Sequence, residues 1–371
     1  MKLDHRLDGP AGAPLLVLGP SLGTTLEVWE PQMEALTASW RVLRYDLPGH
    51  GGSEPATEVT LDLLAGAVLD LVGEQPGGER FAIGGISLGG AIAATVAARV
   101  PERVTHLVLC CSSARFGDPG PWLERAAAVR RDGMEPLAAV LPGRWFTPEA
   151  EQGRVAGVLR MPYGTDAGSY AACCEALAAY DLTGALGAIT APTLVVAGAD
   201  DPATPVGHSV ALATGIPGAL LTVVPRAAHL ANVERAETVT AAIVRHLGGE
   251  RRAAGTRTRR EVLGDAHVDR AVAATTAFTH DFQDLITRYA WDEIWNRPGL
   301  DRRTRSCVTL TALVAGGHLE ELAMHVRAAL RNGLSPEEIK EVLLQTAIYC
   351  GVPAANAAFA VAGRTLAEAA D

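Results

Sequence analysis

From residue 15 to about 248, short apolar β-rich runs alternate with longer alanine-rich stretches of helical composition, and beyond residue 265 the alternation stops. The runs are Leu15–Leu18, Val42–Tyr45, Phe81–Gly84, Leu107–Cys110, Thr193–Ala197 and Leu220–Val224. Alternation of this kind predicts a parallel sheet covered by helices, an α/β fold. Residues 112–190 break the rhythm. They open on Phe116-Gly117-Asp118-Pro119-Gly120-Pro121-Trp122 and contain no convincing strand, which predicts a helical cap inserted between two sheet strands. Residues 249–264 are glycine-containing and arginine-dense without periodicity, and read as an interdomain linker. From residue 265 to 371 the pattern is helical throughout, and Ser335-Pro336-Glu337-Glu338 carries the N-cap serine, first-turn proline and third-position glutamate of a helix start. Two domains follow, α/β over 1–248 and all-α over 265–371.

Composition narrows the function. With 48% hydrophobic residues the chain can bury a core, and its formal net charge of −10 has the wrong sign for a general nucleic-acid binder. No apolar run approaches the ~18 residues of a membrane helix, and the first, Leu15–Leu18, is too short for a signal-peptide core, so a cytoplasmic protein with no membrane partner is expected. The six cysteines show no C-x-x-C spacing, which fits reduced, buried thiols better than disulfides or a zinc ribbon.

Gly85-Ile86-Ser87-Leu88-Gly89 lies between the run Phe81–Gly84 and the alanine-rich stretch from Ala91 to Arg99. This is G-x-S-x-G in a strand–turn–helix setting, a turn too tight for side chains beside the serine, with a helix N-terminus behind it that favours developing negative charge. A serine nucleophile needs an acid and then a histidine downstream. Asp200 and Asp201 follow one strand and His229 follows the next, both at strand C-termini. Asp201 is preferred because it stands three after Gly198 and four before Pro205, leaving Asp200 as a turn cap. His50 precedes the serine and is expected to order its own loop. The Leu88 amide should supply one oxyanion donor, and the loop Gly19-Pro20-Ser21-Leu22-Gly23-Thr24 the other.

These segments, with Arg44-Tyr45-Asp46-Leu47-Pro48-Gly49-His50-Gly51-Gly52-Ser53, resemble α/β-hydrolases. Residues 19–29 and 169–177 are similar, more narrowly, to 3-oxoadipate enol-lactonases. Gly19-Pro20 stands where many hydrolases carry His-Gly, which leaves Ser21 and Leu22 as alternatives for the second oxyanion donor. The resemblance implies that Ser87 attacks a lactone carbonyl with His229 as base and Asp201 orienting it. A substrate carboxylate would need a cation among the cap arginines Arg115, Arg125, Arg130, Arg144 and Arg154. Arg144, with Trp122 and Trp145, is assigned to substrate.

In the helical domain, His318, Glu321 and His325 are spaced to share one helix stripe, as an acid–base pair, half a metal site or a solvated face. No fourth ligand accompanies them, and no metal or cofactor is expected. The segments 289–301, 328–334 and 345–356 resemble 4-carboxymuconolactone decarboxylases. Peroxidase-like members of the broader family carry a C-x-x-C, whereas His318 and Glu321 occupy those places here, so thiol redox chemistry is excluded. The resemblance implies cofactor-free decarboxylation with His325 as proton donor, Glu321 setting its charge, and Arg297, with Arg302 or Arg303, holding carboxylates. It also implies a homo-oligomer assembled through residues 265–371. The product implied for the second domain is the substrate implied for the first, which points to one bifunctional enzyme of protocatechuate breakdown acting on carboxylated lactones. The alternative is an esterase or lactonase of other specificity whose helical domain only oligomerises.

Overall fold

In a computed structural model, the structure describes residues 1–276, 278–297 and 299–370, and the side chains of these except 249–253, 369 and 370. The chain forms two compact units, Met1–Leu247 and Gly248–Asp371.

The first unit is built on a seven-stranded sheet: β1 (His5–Asp8), β2 (Leu15–Gly19), β3 (Arg41–Tyr45), β4 (Phe81–Ile86), β5 (Val104–Cys110), β6 (Thr193–Gly198) and β7 (Leu220–Val224), in the order β1-β3-β2-β4-β5-β6-β7. All neighbours are parallel except β1, which pairs antiparallel with β3 at the edge. The six apolar runs all lie within strands. β1 escapes the sequence pattern because an edge strand partly open to water tolerates His5, Arg6 and Asp8. Central strands are buried on both faces, so β2 and β4 read as continuous apolar runs rather than alternating ones.

One face of the sheet is covered by α1 (Glu30–Thr37) and, later in the chain, α6 (Ala236–Leu247), which bury Met33, Leu36, Val239 and Ile243 against Val42, Val108 and Val196. The other is covered by α2 (Leu61–Gly73) and α3 (Leu88–Arg99), which bury Leu64, Val68, Ile92 and Val96 against Val17, Ile83 and Leu107. Each side chain of this kind removed from water contributes about 1.5–3 kcal/mol. Between β5 and β6 the chain makes only helices and turns, including α4 (Pro119–Asp132), capped by Asp118, and α5 (Ala167–Ala179), capped by Asp166.

The second unit is helical: α7 (Gly249–Leu263), α8 (Asp265–Ala273), a short helix His280–Ile286 running into a π-helical turn Thr287–Ile294, then α9 (Arg302–Gly316), α10 (Leu319–Arg331), α11 (Pro336–Cys350) and α12 (Val352–Ala370). α11 begins with the expected reciprocal capping box of Ser335 and Glu338. Leu310, Leu322, Val326, Ile339 and Leu343 form its main core.

The run 249–264 is a helix and not an unstructured linker. Its arginines and alanines are good helix formers, and one narrow stripe is buried: Thr258, Arg259, Val262 and Leu263. Val262 and Leu263 pack with Val268, Trp291 and Ala328. The helix stops at Gly264, whose φ of +86° suits glycine. Among the described residues, no helix is long and apolar enough to cross a membrane.

Candidate active site

Ser87 sits between β4 and α3 with φ +55° and ψ −115°, a conformation that L-residues rarely adopt and that presents the side chain at the head of the turn. Gly85 and Gly89 make the turn possible: a Cβ on Gly85 would strike the Gly89 backbone, and one on Gly89 would strike the Gly19 carbonyl. The Ser87 amide donates to the Cys110 carbonyl at 2.9 Å, fixing the elbow on β5. Leu88 opens α3 and its amide lacks an intrahelical acceptor, while the next amide, that of Gly89, already donates to Pro20 O at 3.0 Å.

His229 follows β7, and its Nδ1–H donates to Asp201 Oδ2 at 2.9 Å. Asp201 is buried, whereas Asp200 is exposed, so the geometry selects the second of the pair. Asp201 also accepts from the Ala203 amide at 2.8 Å, the Thr204 amide at 3.0 Å and the Thr204 hydroxyl at 2.6 Å. Burial alone would raise its pKa. Attraction to His229 and the hydrogen bonds from His229 and Thr204 outweigh this and hold it at about 2. Such a carboxylate stays ionised.

His50 takes the ordering role. Its Nδ1–H donates to Pro48 O at 2.8 Å and its Nε2 accepts the Gly23 amide at 3.1 Å, which fixes one neutral tautomer beneath the loop 19–24. Complete burial pushes its pKa down to about 4. Ser21 and Leu22 of this loop line one cleft with Ser87, His229, Trp122 and Trp145.

In the second unit, Glu321 and His325 lie four residues apart on one face of α10, but His318 is not on the helix. It is the N-cap, with its amide on Leu313 O at 2.9 Å and its ring against Gly316, because Gly317 at φ +72° ends α9 just before it. The expected stripe of three is therefore a pair. His325 is half-buried, and burial first, then repulsion from His267, push its pKa down to about 4 against the pull of Glu321. Arg297 is exposed and shares no hydrogen bond or ion pair with Glu321 or His325 among the described residues. Arg302 and Arg303 are committed to Glu261 and Glu338. Trp291 and Trp295 pack against each other with rings tilted by 30° and centroids 5.3 Å apart, Trp291 within the core. Among the described residues, no three His, Cys, Asp or Glu side chains cluster as a metal site.

Residues 14–236 match the model of the alpha/beta hydrolase fold family, and residues 280–364 that of the carboxymuconolactone decarboxylase family. The 4-carboxymuconolactone decarboxylase of Acinetobacter baylyi is 48% identical over 108 residues, 29% of this chain and 81% of that protein. The chain is a fusion of these two families. Its hydrolase part is 34% identical over 246 residues to 3-oxoadipate enol-lactonase 2 of Acinetobacter baylyi, 65% of this chain and 91% of that protein. The crystal structure of the enol-lactonase from Burkholderia xenovorans LB400 superposes with a TM-score of 0.63 at 37% identity, covering 66% of this chain and 96% of that one.

Within the hydrolase unit the structure sorts the cap arginines. Arg130 is paired with Glu175 and Arg154 with Glu237, while Arg115 is exposed and lines no part of the cleft. Arg125 and Arg144 line it, and among the described residues neither has an ion-pair partner. Arg125 lies over the Trp122 ring at 4.7 Å from its centroid. Burial, and then Arg125, lower the Arg144 pKa. Arg125 is one of the five cap arginines that the sequence offers without ranking, and its position three after Trp122 on one helix is the readable sign of a shared face. Thr204 and Tyr170 were missed as lining groups. A wider crevice of about 780 Å³ near Glu27, Glu30 and Met161 touches no member of the Ser87–His229–Asp201 set.

Proposed function

We propose that the chain is a bifunctional enzyme that decarboxylates 4-carboxymuconolactone to 3-oxoadipate enol-lactone and hydrolyses the enol-lactone to 3-oxoadipate. The observation that carries the reading is the cleft where Ser87 and the Asp201-bound His229 meet two guanidiniums free of carboxylates, in a chain whose other part is a decarboxylase relative. A lactone bearing a carboxylate supplies what both halves of that cleft lack.

In hydrolysis, Ser87 Oγ adds to the lactone carbonyl as His229 takes its proton, and Asp201 stabilises the imidazolium. The oxyanion is held by the Leu88 amide and by the amide of Ser21 or Leu22. Ring opening expels an enolate, which His229 protonates and which ketonises, so the ring does not re-close. Water activated by His229 then releases the acid. Arg125 and Arg144 hold the carboxylate, while Trp122 and Trp145 wall the apolar part of the ring.

In decarboxylation, the bond to the γ-carboxylate breaks and its electron pair flows through the double bond to the lactone carbonyl oxygen. The resulting dienolate takes a proton at its α-carbon from His325, with Glu321 favouring the charged imidazole. The lactone itself accepts the electron pair, so the reading needs no cofactor. The reading also places the protein in the cytoplasm, where its six free cysteines stay reduced. It makes the protein a homo-oligomer through the helical unit, where Ile348, Tyr349 and Val352 are each more than 70% exposed.

The test is purified Ser87→Ala protein given 4-carboxymuconolactone. Stoichiometric CO2 with accumulating enol-lactone is the expected result. No CO2 from this variant or from wild type would remove the decarboxylase activity and leave a serine hydrolase alone.

A further inference from the structure

The proposed decarboxylation leaves one requirement unmet, because the lactone carries a carboxymethyl carboxylate besides the carboxylate it loses. Arg297 is exposed and Arg302 and Arg303 are paired with glutamates, so none of the arginines expected from sequence is placed for it.

Arg259, on α7, is different. It is only 7% exposed, its Nη1 donates to Gln283 Oε1 at 3.0 Å, and its buried Nε–H has no acceptor. Among the described residues no carboxylate is hydrogen-bonded or ion-paired to it, and burial lowers its pKa. The contrast within the same chain is Arg44, equally buried but paired with Asp8 and Glu30. A buried cation without a counter-ion is costly, and a fold that keeps one is short of an anion.

The helix that carries Arg259 packs against the helix that carries Glu321 and His325. Val262, one turn further along α7, packs with Trp291, Ala328 and Met324, and Met324 and Ala328 flank His325 on α10. The charge of Arg259 bears on His267, and that of His267 on His325. Arg331 lies at the C-terminal end of α7, where its Nη1 donates to Leu263 O at 2.8 Å.

We propose that Arg259 is the anchor for the carboxylate that the lactone retains. The assignment rests on the decarboxylase reading above. It is the retained and not the departing group that is held, for a chemical reason. When the bond to the γ-carboxylate breaks, its electron pair leaves for the lactone oxygen and neutral CO2 departs. A guanidinium on that carboxylate would therefore stabilise the ground state more than the transition state. Gripping the carboxymethyl group instead fixes the ring against His325 and keeps its strength throughout the reaction.

The experiment compares wild type, Arg259→Met and Arg259→Lys for CO2 release from 4-carboxymuconolactone and for thermal unfolding. Arg259→Met should raise KM at least tenfold and leave the unfolding temperature unchanged or higher, because it removes an unpaired buried charge. A residue that only supports the fold would do the reverse, lowering the unfolding temperature with KM unmoved. A saturated γ-carboxy-γ-lactone bearing the carboxymethyl group, unable to decarboxylate, should raise the unfolding temperature of wild type and not of Arg259→Met. Should Arg259→Met not fold, Arg259→Lys carries the test, with KM raised at least threefold by the lost two-point grip. KM within twofold of wild type in the folded variants, or equal protection of all proteins by the analogue, overturns the assignment. A wild-type protein that releases no CO2 would instead defeat the decarboxylase reading itself.

Discussion

The carboxylate of Glu234 accepts the backbone amide of Ala228 at 2.8 Å, one residue before His229. The other oxygen of the same carboxylate takes the amide of Thr147 at 3.1 Å and the Thr147 hydroxyl, and Leu230 donates to Trp145 O at 3.0 Å. Glu234 thus ties the segment that carries the base to the part of the cap that carries Arg144 and Trp145. Glu234→Ala would leave the buried Ala228 amide and Thr147 without acceptors, at about 1–3 kcal/mol for each unsatisfied group. Enol-lactone hydrolysis should lose roughly tenfold or more in kcat as His229 loosens, and the hydrolase transition should move several degrees down in a thermal scan. CO2 release should not change. Unaltered hydrolysis would show that the segment is held in place without this carboxylate.

The neighbouring aspartates give the second prediction. Asp201→Asn should lower kcat of hydrolysis by about 10³–10⁴, since the amide cannot stabilise an imidazolium and favours the wrong tautomer. Asp200 is exposed and does not line the cleft, so Asp200→Asn should stay within twofold. Equal losses in the two variants, read from initial rates on enol-lactone, would undo the assignment of Asp201.

How much of this was legible in sequence depended on how local each cause is. The Ser87 elbow and the Asp201–His229 order could be read because one turn and two strand ends fix them. The identity of the anchoring arginines could not, because five cap arginines look alike until the fold supplies Glu175 to Arg130 and Glu237 to Arg154. α7 was hidden because its buried stripe is Thr258, Arg259 and Val262 rather than an apolar repeat. His318 was misplaced although Gly316-Gly317 is a readable helix-stop signal, and Gly317 does adopt the left-handed conformation that ends α9. β1 was missed because its edge position excuses it from being apolar.

The two unpaired guanidiniums predict selectivity. Arg125→Met and Arg144→Met should each raise KM for enol-lactone roughly tenfold or more, the loss of one charge-assisted contact, while hydrolysis of an uncharged lactone or simple ester should change less than threefold. Arg130→Met, which removes only a surface pair with Glu175, should leave both substrates unaffected. Equal losses on charged and uncharged substrates would mean that the arginines shape the cleft and do not recognise a carboxylate.

His325 predicts an unusual pH dependence. Its pKa lies near 4 in the free protein, lowered by burial and by His267, so at neutral pH the imidazole is almost entirely neutral. A dicarboxylate bound beside it adds negative charge and must raise that pKa, so the acid is made by the substrate it serves. In the free protein the protonated fraction falls tenfold for each pH unit above 4, and kcat/KM for CO2 release, which reports the free protein, should fall with the same slope between about pH 5 and 8. The kcat, which reports the loaded protein, should stay level until a higher break. Replacing Glu321 by Gln removes a group that raises the His325 pKa and should move the kcat break down. His325→Ala should lose most of kcat. A kcat/KM that stays flat from pH 5 to 8 in initial-rate measurements would assign the proton to another donor.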